Sequence, residues 1–205
     1  EHGTADQITC RVPMIIRWPG LEGGRVYSGL HYNLDFAPTL CELLGIPGSA
    51  NWDGRSYTGS LRNGQDHGRH QLVVSQCAHV CQRSVRWGPW LYVRTWHCGF
   101  HLFPKEMLFN IEEDPHEQHN QAAEFPEVCR EGAARLLDWH DEVMQSGTSD
   151  TDPLWTVMRE GGPFHANTRR MRDVLQGYFH HLRATGRGWG VEAIKERYPE
   201  LRDLE

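Results

Sequence analysis

Apolar and polar positions run through these 205 residues in more than one rhythm, and the changes of rhythm divide the chain. Residues 12–17, VPMIIR, form a short apolar run rich in branched side chains and predict a buried strand. Trp18-Pro19-Gly20 ends that run, because Pro and Gly punctuate loops. Helical spacing follows: Phe36, Leu40, Leu43 and Leu44 share one face of a predicted helix from Asp35 to Leu44. Asp35 suits its N-cap, Pro38 is tolerated in the first turn, and Gly45 supplies the stop. From Ile46 to Arg69 no period persists. Pro47-Gly48, Asp53-Gly54 and Asn63-Gly64 mark turns in an irregular loop there.

Strand patterns return at 71–77, 84–87, 90–95 and 107–111. Gly88-Pro89 is a tight connection between two of them, so the sheet is predicted to be antiparallel. Pro126 then opens a helix to about Gln145, with Val128, Leu136, Leu137, Val143 and Met144 on or near one face. A polar linker at 146–152 leads to a last pair of helices at about 168–184 and 190–198. The chain thus reads as the tail of a larger α/β domain (1–65), a small sheet-and-helix subdomain (66–150) and a helical tail (151–205).

Composition narrows the function classes. With 39% hydrophobic and 23% charged residues the usage is that of an ordinary globular protein, long enough to bury a core. The formal net charge is −6 and the 21 basic residues are scattered, which argues against a nucleic-acid partner. No apolar run approaches the roughly 20 residues of a membrane helix, so no membrane is expected as partner. Six cysteines are few for this length, and free buried thiols are expected rather than a disulfide scaffold. The chain starts on Glu rather than Met, so the lack of a signal peptide carries no information about secretion.

Two local constellations invite chemical readings. Cys77, His79 and Cys81 alternate, so on a strand they would face one side, and zinc takes Cys and His ligands. Neighbours on one strand face stand roughly 6–7 Å apart, wide for a single tetrahedral ion, and buried thiols are the better expectation. The run Trp96-His97-Cys98-Gly99-Phe100-His101 breaks the strand pattern after Thr95. Aromatics and two imidazoles on a glycine-containing loop make His97 and His101 candidates for substrate binding; a solvated hairpin loop is the alternative. Trp155, Phe164, Tyr178 and Trp189 are expected to pack rather than to stack on a ligand.

Four segments, in order, resemble the sulfatase family. The first is Arg11-Val12-Pro13-Met14-Ile15-Ile16 with Pro19-Gly20. Asp35-Phe36-Ala37-Pro38-Thr39-Leu40 with Leu44-Gly45-Ile46-Pro47 is the second, and Asp53-Gly54-Arg55-Ser56 with Leu61 the third. The fourth runs from Glu106-Met107-Leu108-Phe109-Asn110-Ile111 into Asp114-Pro115-His116-Glu117 and Asn120. The tail, with Asp152-Pro153-Leu154-Trp155 and Gly161-Gly162-Pro163-Phe164, is similar to an extension in some bacterial and archaeal sulfatases related to sulfoglucosamine sulfohydrolases.

The resemblance implies an alkaline-phosphatase-like α/β fold with a smaller C-terminal subdomain, a calcium ion (Ca2+) and a formylglycine nucleophile made in a C/S-x-P-x-R motif. Cys10-Arg11-Val12-Pro13 does not fit that motif, and the family's paired acidic metal ligands find no counterpart. The nucleophile and the metal site are therefore expected upstream of Glu1, which makes the chain a C-terminal fragment. In the family a Lys stands nine residues before the Arg of "RVP". His2 holds that place, with Thr4 matching the Thr that often follows, so the resemblance makes His2 the candidate catalytic cation. Asp6 and Gln7 stand where the family usually has Tyr and Glu and receive no role.

What the resemblance implies for function is hydrolysis of sulfate esters or sulfamates, with a sulfated carbohydrate or small sulfate ester as partner. An exported location goes with it, and the chain alone is expected to be inactive. A phosphodiesterase or phosphonate-type hydrolase of the same superfamily is the alternative, since phosphoryl and sulfuryl groups are both tetrahedral oxyanions. A non-catalytic remnant is a further one, favoured by His at the lysine position. The first 60 residues are expected to expose apolar surface, because VPMIIR without parallel neighbours is an orphan strand.

Overall fold

The computed structural model describes residues 3–99, 101–147, 150–160, 162–163 and 169–204. The chain falls into two compact units: Arg11–Leu72 with Arg86–Gly88, and Glu1–Cys10 with Val73–Val85 and Pro89–Glu205.

The larger unit is built on a four-stranded sheet in the order β1-β2-β3-β4. Its strands are β1 (Gln71–Gln76), β2 (Cys81–Trp87), β3 (Trp90–His97) and β4 (Glu106–Asn110). Sequence order equals spatial order, as short hairpin connections dictate. β3 and β4 pair antiparallel, with Trp90 opposite Asn110 and Arg94 opposite Glu106. Leu91, Val93, Phe109 and Ile111 form a buried apolar layer together with Ala5. The helix α1 (Gln7–Cys10) follows directly on Ala5.

The long helix α4 (Pro126–Ser146) has Pro at its start, where the missing N–H costs nothing. It comes so close to β3 that a Cβ on Gly132 would lie 2.6 Å from Tyr92 Cβ and Cγ. Asp152 caps α5 (Pro153–Arg159), accepting the Leu154 amide at 3.0 Å. The same carboxylate takes the Arg83 guanidinium at 2.6 Å, both side chains being buried. Arg83 also lies over the Trp139 and Trp96 rings, 5.0 and 5.9 Å from their centroids. The helices α6 (Arg169–Ala184) and α7 (Gly188–Arg197) bury their own cluster, including Leu175, Phe179, Val191 and Ile194.

In the smaller unit a single 3-10 turn, Asn33–Asp35, leads into α2 (Phe36–Leu44), which Gly45 ends in the left-handed region at φ 68°. Asp35 is fully buried, and its carboxylate accepts the Tyr32 and Arg55 amides, each at 2.8 Å, and both terminal nitrogens of Arg69. Burial opposes its charge, yet the Arg69 guanidinium and the two amides hold the carboxyl below its ordinary value. The helix α3 (Thr58–Asn63) packs back through the Thr58 hydroxyl, which donates to Thr39 O at 3.3 Å.

Four expectations change. VPMIIR is not a strand: residues 11–18 are irregular, with Ile15 97% and Val12 58% exposed. A strand needs a neighbour for its N–H and C=O groups, and among the described residues the smaller unit supplies a single isolated bridge, Leu30 to Arg69. The region 46–69 contains α3, a helix without apolar period that side-chain hydrogen bonds hold, and α5 adds a helix ahead of the expected last pair. Cys77 and Cys81 do not share one strand, because bends at 78–80 separate them. Trp155 packs edge-on against Trp96, ring centroids 6.3 Å apart, while Trp189 and Tyr178 are 67% and 41% exposed and Phe164 lies outside the described residues.

Candidate functional site

His2 lies outside the described residues, but the segment that follows it, Gly3–Cys10, is built onto the sheet residue by residue. Ala5 is 1% exposed in the apolar layer, and its amide donates to Gln82 Oε1 at 3.1 Å. Gln82, itself buried in β2, passes the contact on through Nε2 to Thr95 Oγ1 on β3 at 3.0 Å. Thr4 and Thr9 hydroxyls meet at 2.7 Å, and Asp6 Oδ1 accepts the Thr9 amide at 2.6 Å. Cys10 closes the turn by donating its thiol to Thr4 O at 3.4 Å.

The remaining anchor comes from far along the chain. Glu117 Oε1 accepts the Gln7 amide at 2.9 Å, at the start of α1, where free N–H groups favour an anion. Glu117 adopts φ 55°, a left-handed conformation uncommon for a residue with a side chain. Its other oxygen, Oε2, is buried with no hydrogen-bond partner among the described residues. Burial, reinforced by the Asp6 charge, pushes the Glu117 carboxyl up to about 7 against the pull of the Gln7 and Ile8 amides. A cavity of about 160 Å³ adjoins it, lined by Asp6, His116 and Glu117 together with Val93, Phe103 and Phe109. Partial burial thus brings the titration of this carboxyl close to neutral pH.

The other polar residues of the 106–120 segment also tie backbone. Glu106 Oε1 accepts the Tyr92 hydroxyl at 2.6 Å and Arg94 Nη1 at 2.8 Å across the β3–β4 pair. Asp114 accepts the His119 amide at 2.8 Å. Asn120 Oδ1 takes the Leu108 amide at 3.0 Å, while its Nδ2 donates to Glu106 O at 3.3 Å. The motif is thus a set of turn and edge fasteners, and Glu117 is the member that reaches the N-terminal segment. Spacing alone carries no sign of that reach; the buried polar Gln82 within the run CQRSV was the one local hint of a contact to be filled.

His97 closes β3 with its ring stacked on Tyr198 at 5.1 Å, while Nδ1 accepts the Gly99 amide at 3.0 Å. Burial holds its imidazole below the ordinary value. The loop after it is tied to the end of α7: Cys98 Sγ lies 3.0 Å from the Tyr198 hydroxyl and 2.9 Å from Arg197 Nη1. His101 packs beside Phe103, ring centroids 5.0 Å apart, and its amide donates to Cys98 O at 2.8 Å. Neither imidazole is brought to the cavity beside Glu117. Among the described residues no group of three or more His, Cys, Asp or Glu side chains is arranged to hold a metal ion. They therefore do not fit the calcium site that the sulfatase resemblance implies.

Residues 5–140 match the family described as N-sulphoglucosamine sulphohydrolase, C-terminal. The chain belongs to this family. The match begins at Ala5, the buried anchor of the N-terminal segment, and ends within α4. This chain is similar to arylsulfatase K of Danio rerio, 28% identical over 127 residues, covering 58% of this chain and 24% of that protein. It is also similar to N-acetylgalactosamine-6-O-sulfatase of Bacteroides thetaiotaomicron, 28% identical over 134 residues, covering 59% of this chain and 25% of the relative. The chain thus spans about a quarter of the length of these relatives. Its fold is similar to that of an enzyme solved in complex with its substrate D-glucosamine-2-N,6-O-disulfate, with TM-score 0.55 and 18% identity over 67% of this chain and 30% of that one. A Bacteroides thetaiotaomicron protein from a locus for glycosaminoglycan metabolism gives TM-score 0.53 at 22% identity, over 66% and 30%. The α/β fold, with its small antiparallel sheet and helices, is that of the C-terminal part of a sulfatase.

Proposed function

We propose that this chain is the C-terminal portion of an enzyme that hydrolyses sulfate esters or sulfamates of carbohydrates. The observation that carries the reading is the match of residues 5–140 to the C-terminal family of N-sulphoglucosamine sulphohydrolases. A relative named for N-acetylgalactosamine 6-O-sulfate and a structural neighbour solved with a glucosamine disulfate support a sulfated carbohydrate as substrate. The formylglycine nucleophile and the calcium ligands then belong to residues outside these 205, and the exported location of the family goes with the reading. Among the described residues no helix is long and apolar enough to cross a membrane.

Within that enzyme, His2 supplies a cation. A protonated imidazole donating to a non-bridging sulfate oxygen places positive charge where the transition state accumulates negative charge. A bound sulfate in turn favours the protonated ring. Gln82 and Glu117 anchor Ala5 and Gln7, in the segment that follows His2 in the sequence. The loop of His97 and His101 forms part of the substrate wall, with His101 the better placed because His97 is committed to Tyr198.

The test is turnover of a chromogenic sulfate ester by the full-length enzyme and by this chain alone. His2→Ala is expected to lower kcat by about 10²–10³, the usual cost of one lost donor to a developing oxyanion. Unchanged kcat/KM would remove His2 from the chemistry. Turnover by the 205-residue chain alone would overturn the assignment of the nucleophile to residues outside it.

A further inference from the structure

β1 ends at Gln76 and β2 opens at Cys81, so Cys77 and Cys81 stand at the two feet of the turn that joins adjacent strands. Both are free cysteines, with only residues 78–80 between them. Cys81 is 0% exposed, whereas Cys77 is half-buried and open to reagents. We propose that Cys77 and Cys81 are a dithiol pair that closes into a disulfide across the β1–β2 turn on meeting a low-molecular-weight disulfide such as oxidised glutathione. Neither the sulfatase chemistry nor the role of His2 enters this inference.

The chemistry is ordered by environment. The neighbouring Cys81 thiol, helped by Ser75 and the Arg83 charge, holds the Cys77 thiol below its ordinary value against burial and the Asp152 charge. Cys77 in turn, with burial, pushes Cys81 up. Cys77 is therefore the attacking thiolate. Its sulfur bonds to one sulfur of the glutathione disulfide, whose S–S bond breaks and releases one glutathione thiolate. Cys81, giving up its proton, then attacks the Cys77 sulfur and expels the second glutathione. Two protein thiols lose two electrons and two protons, and the disulfide gains both as two thiols.

Backbone topology favours this pairing over others. Only residues 78–80 separate the two cysteines, and β1 and β2 hold the feet of the turn as neighbours whatever the redox state. His79, inside the turn, presses on Gly3 so closely that a methyl group there would collide with its Cβ and Cγ. Closing the pair therefore stiffens the surface against which Gly3 packs.

The experiment is thiol mapping of the full-length protein equilibrated with graded mixtures of reduced and oxidised glutathione. Acid quenching, alkylation of remaining thiols, digestion and mass spectrometry follow. A Cys77–Cys81 linked peptide lighter by two hydrogens, growing with the oxidised fraction and reversed by dithiothreitol, is expected. Cys81→Ser should instead retain one glutathione on Cys77, and Cys77→Ser should give neither product. Two results would overturn the proposal in the unsubstituted protein, where folding of a variant plays no part. One is full alkylation of both cysteines at every ratio; the other is a stable glutathione adduct on Cys77 with Cys81 still free.

Discussion

Glu117 Oε1 accepts the Gln7 amide at 2.9 Å across 110 residues of sequence, so the turn after β4 fastens the helix that follows the His2 segment. The carboxyl that makes this bond is also the one displaced to about 7. Its folded-state value exceeds its ordinary 4.5, so the native protein holds a proton that the unfolded chain has released. The stability it contributes is complete below about 4.5 and falls as pH rises from there through about 7. Glu117→Gln mimics the neutral form and should flatten this decline. Melting temperatures of the two proteins should converge near pH 5 and separate near pH 8, the variant higher, by the sign of the linkage. Parallel curves would show that Glu117 does not titrate in this range.

The Arg83–Asp152 pair is buried on both sides, which makes its loss asymmetric. Asp152→Ala leaves the guanidinium uncompensated between Trp96 and Trp139 and should cost about 3–5 kcal/mol. Replacing both partners, Arg83→Met with Asp152→Leu, should return most of that loss. Urea titrations of the single and double variants would check it; a double variant no better than the single would mean that the Leu154 cap, not the ion pair, dominates.

Gly132→Ala tests how closely α4 packs on β3. In an open helix the change gains about 0.5–1 kcal/mol. Here the new methyl meets Tyr92 at 2.6 Å, inside any real contact. Overpacking of this kind costs about 1–3 kcal/mol, so the expected sign is destabilising. A raised melting temperature would contradict the close approach.

Ile15 and Val26 are 97% and 93% exposed, with Val12, Phe36 and Leu44 also largely open. The 205-residue chain on its own should self-associate and bind a hydrophobic dye. Ile15→Lys with Val26→Lys should reduce both, with a change in folding stability within about 0.5 kcal/mol, as for other surface sites. A monodisperse, cooperatively melting wild-type chain would refute this.

Where contacts are local, the residues announced their structure. The strands β2 and β3 follow from the apolar runs on either side of Gly88-Pro89, and α4 from Pro126 and a 3.6-residue stripe. Asp35 shows where local reading stops. It stands before α2 as an N-cap should, yet its carboxylate caps nothing within the helix and serves Arg69, Arg55 and Tyr32 instead. Glu117 was visible as part of a motif, but its partner, Gln7, lies beyond any window of spacing.

By itself the amino-acid sequence determined the family, the antiparallel sheet and its helices, because these rest on short-range periodicity, turn chemistry and ordered motifs. Only the tertiary structure decided that Gly3–Cys10 is fastened to the sheet, that Cys77 and Cys81 stand at the two feet of one turn and that VPMIIR is no strand. Each of those depends on which groups meet across long loops. A hydrogen bond or a strand pairing exists only when its second partner arrives, and nothing in a residue's near neighbours says which partner that is.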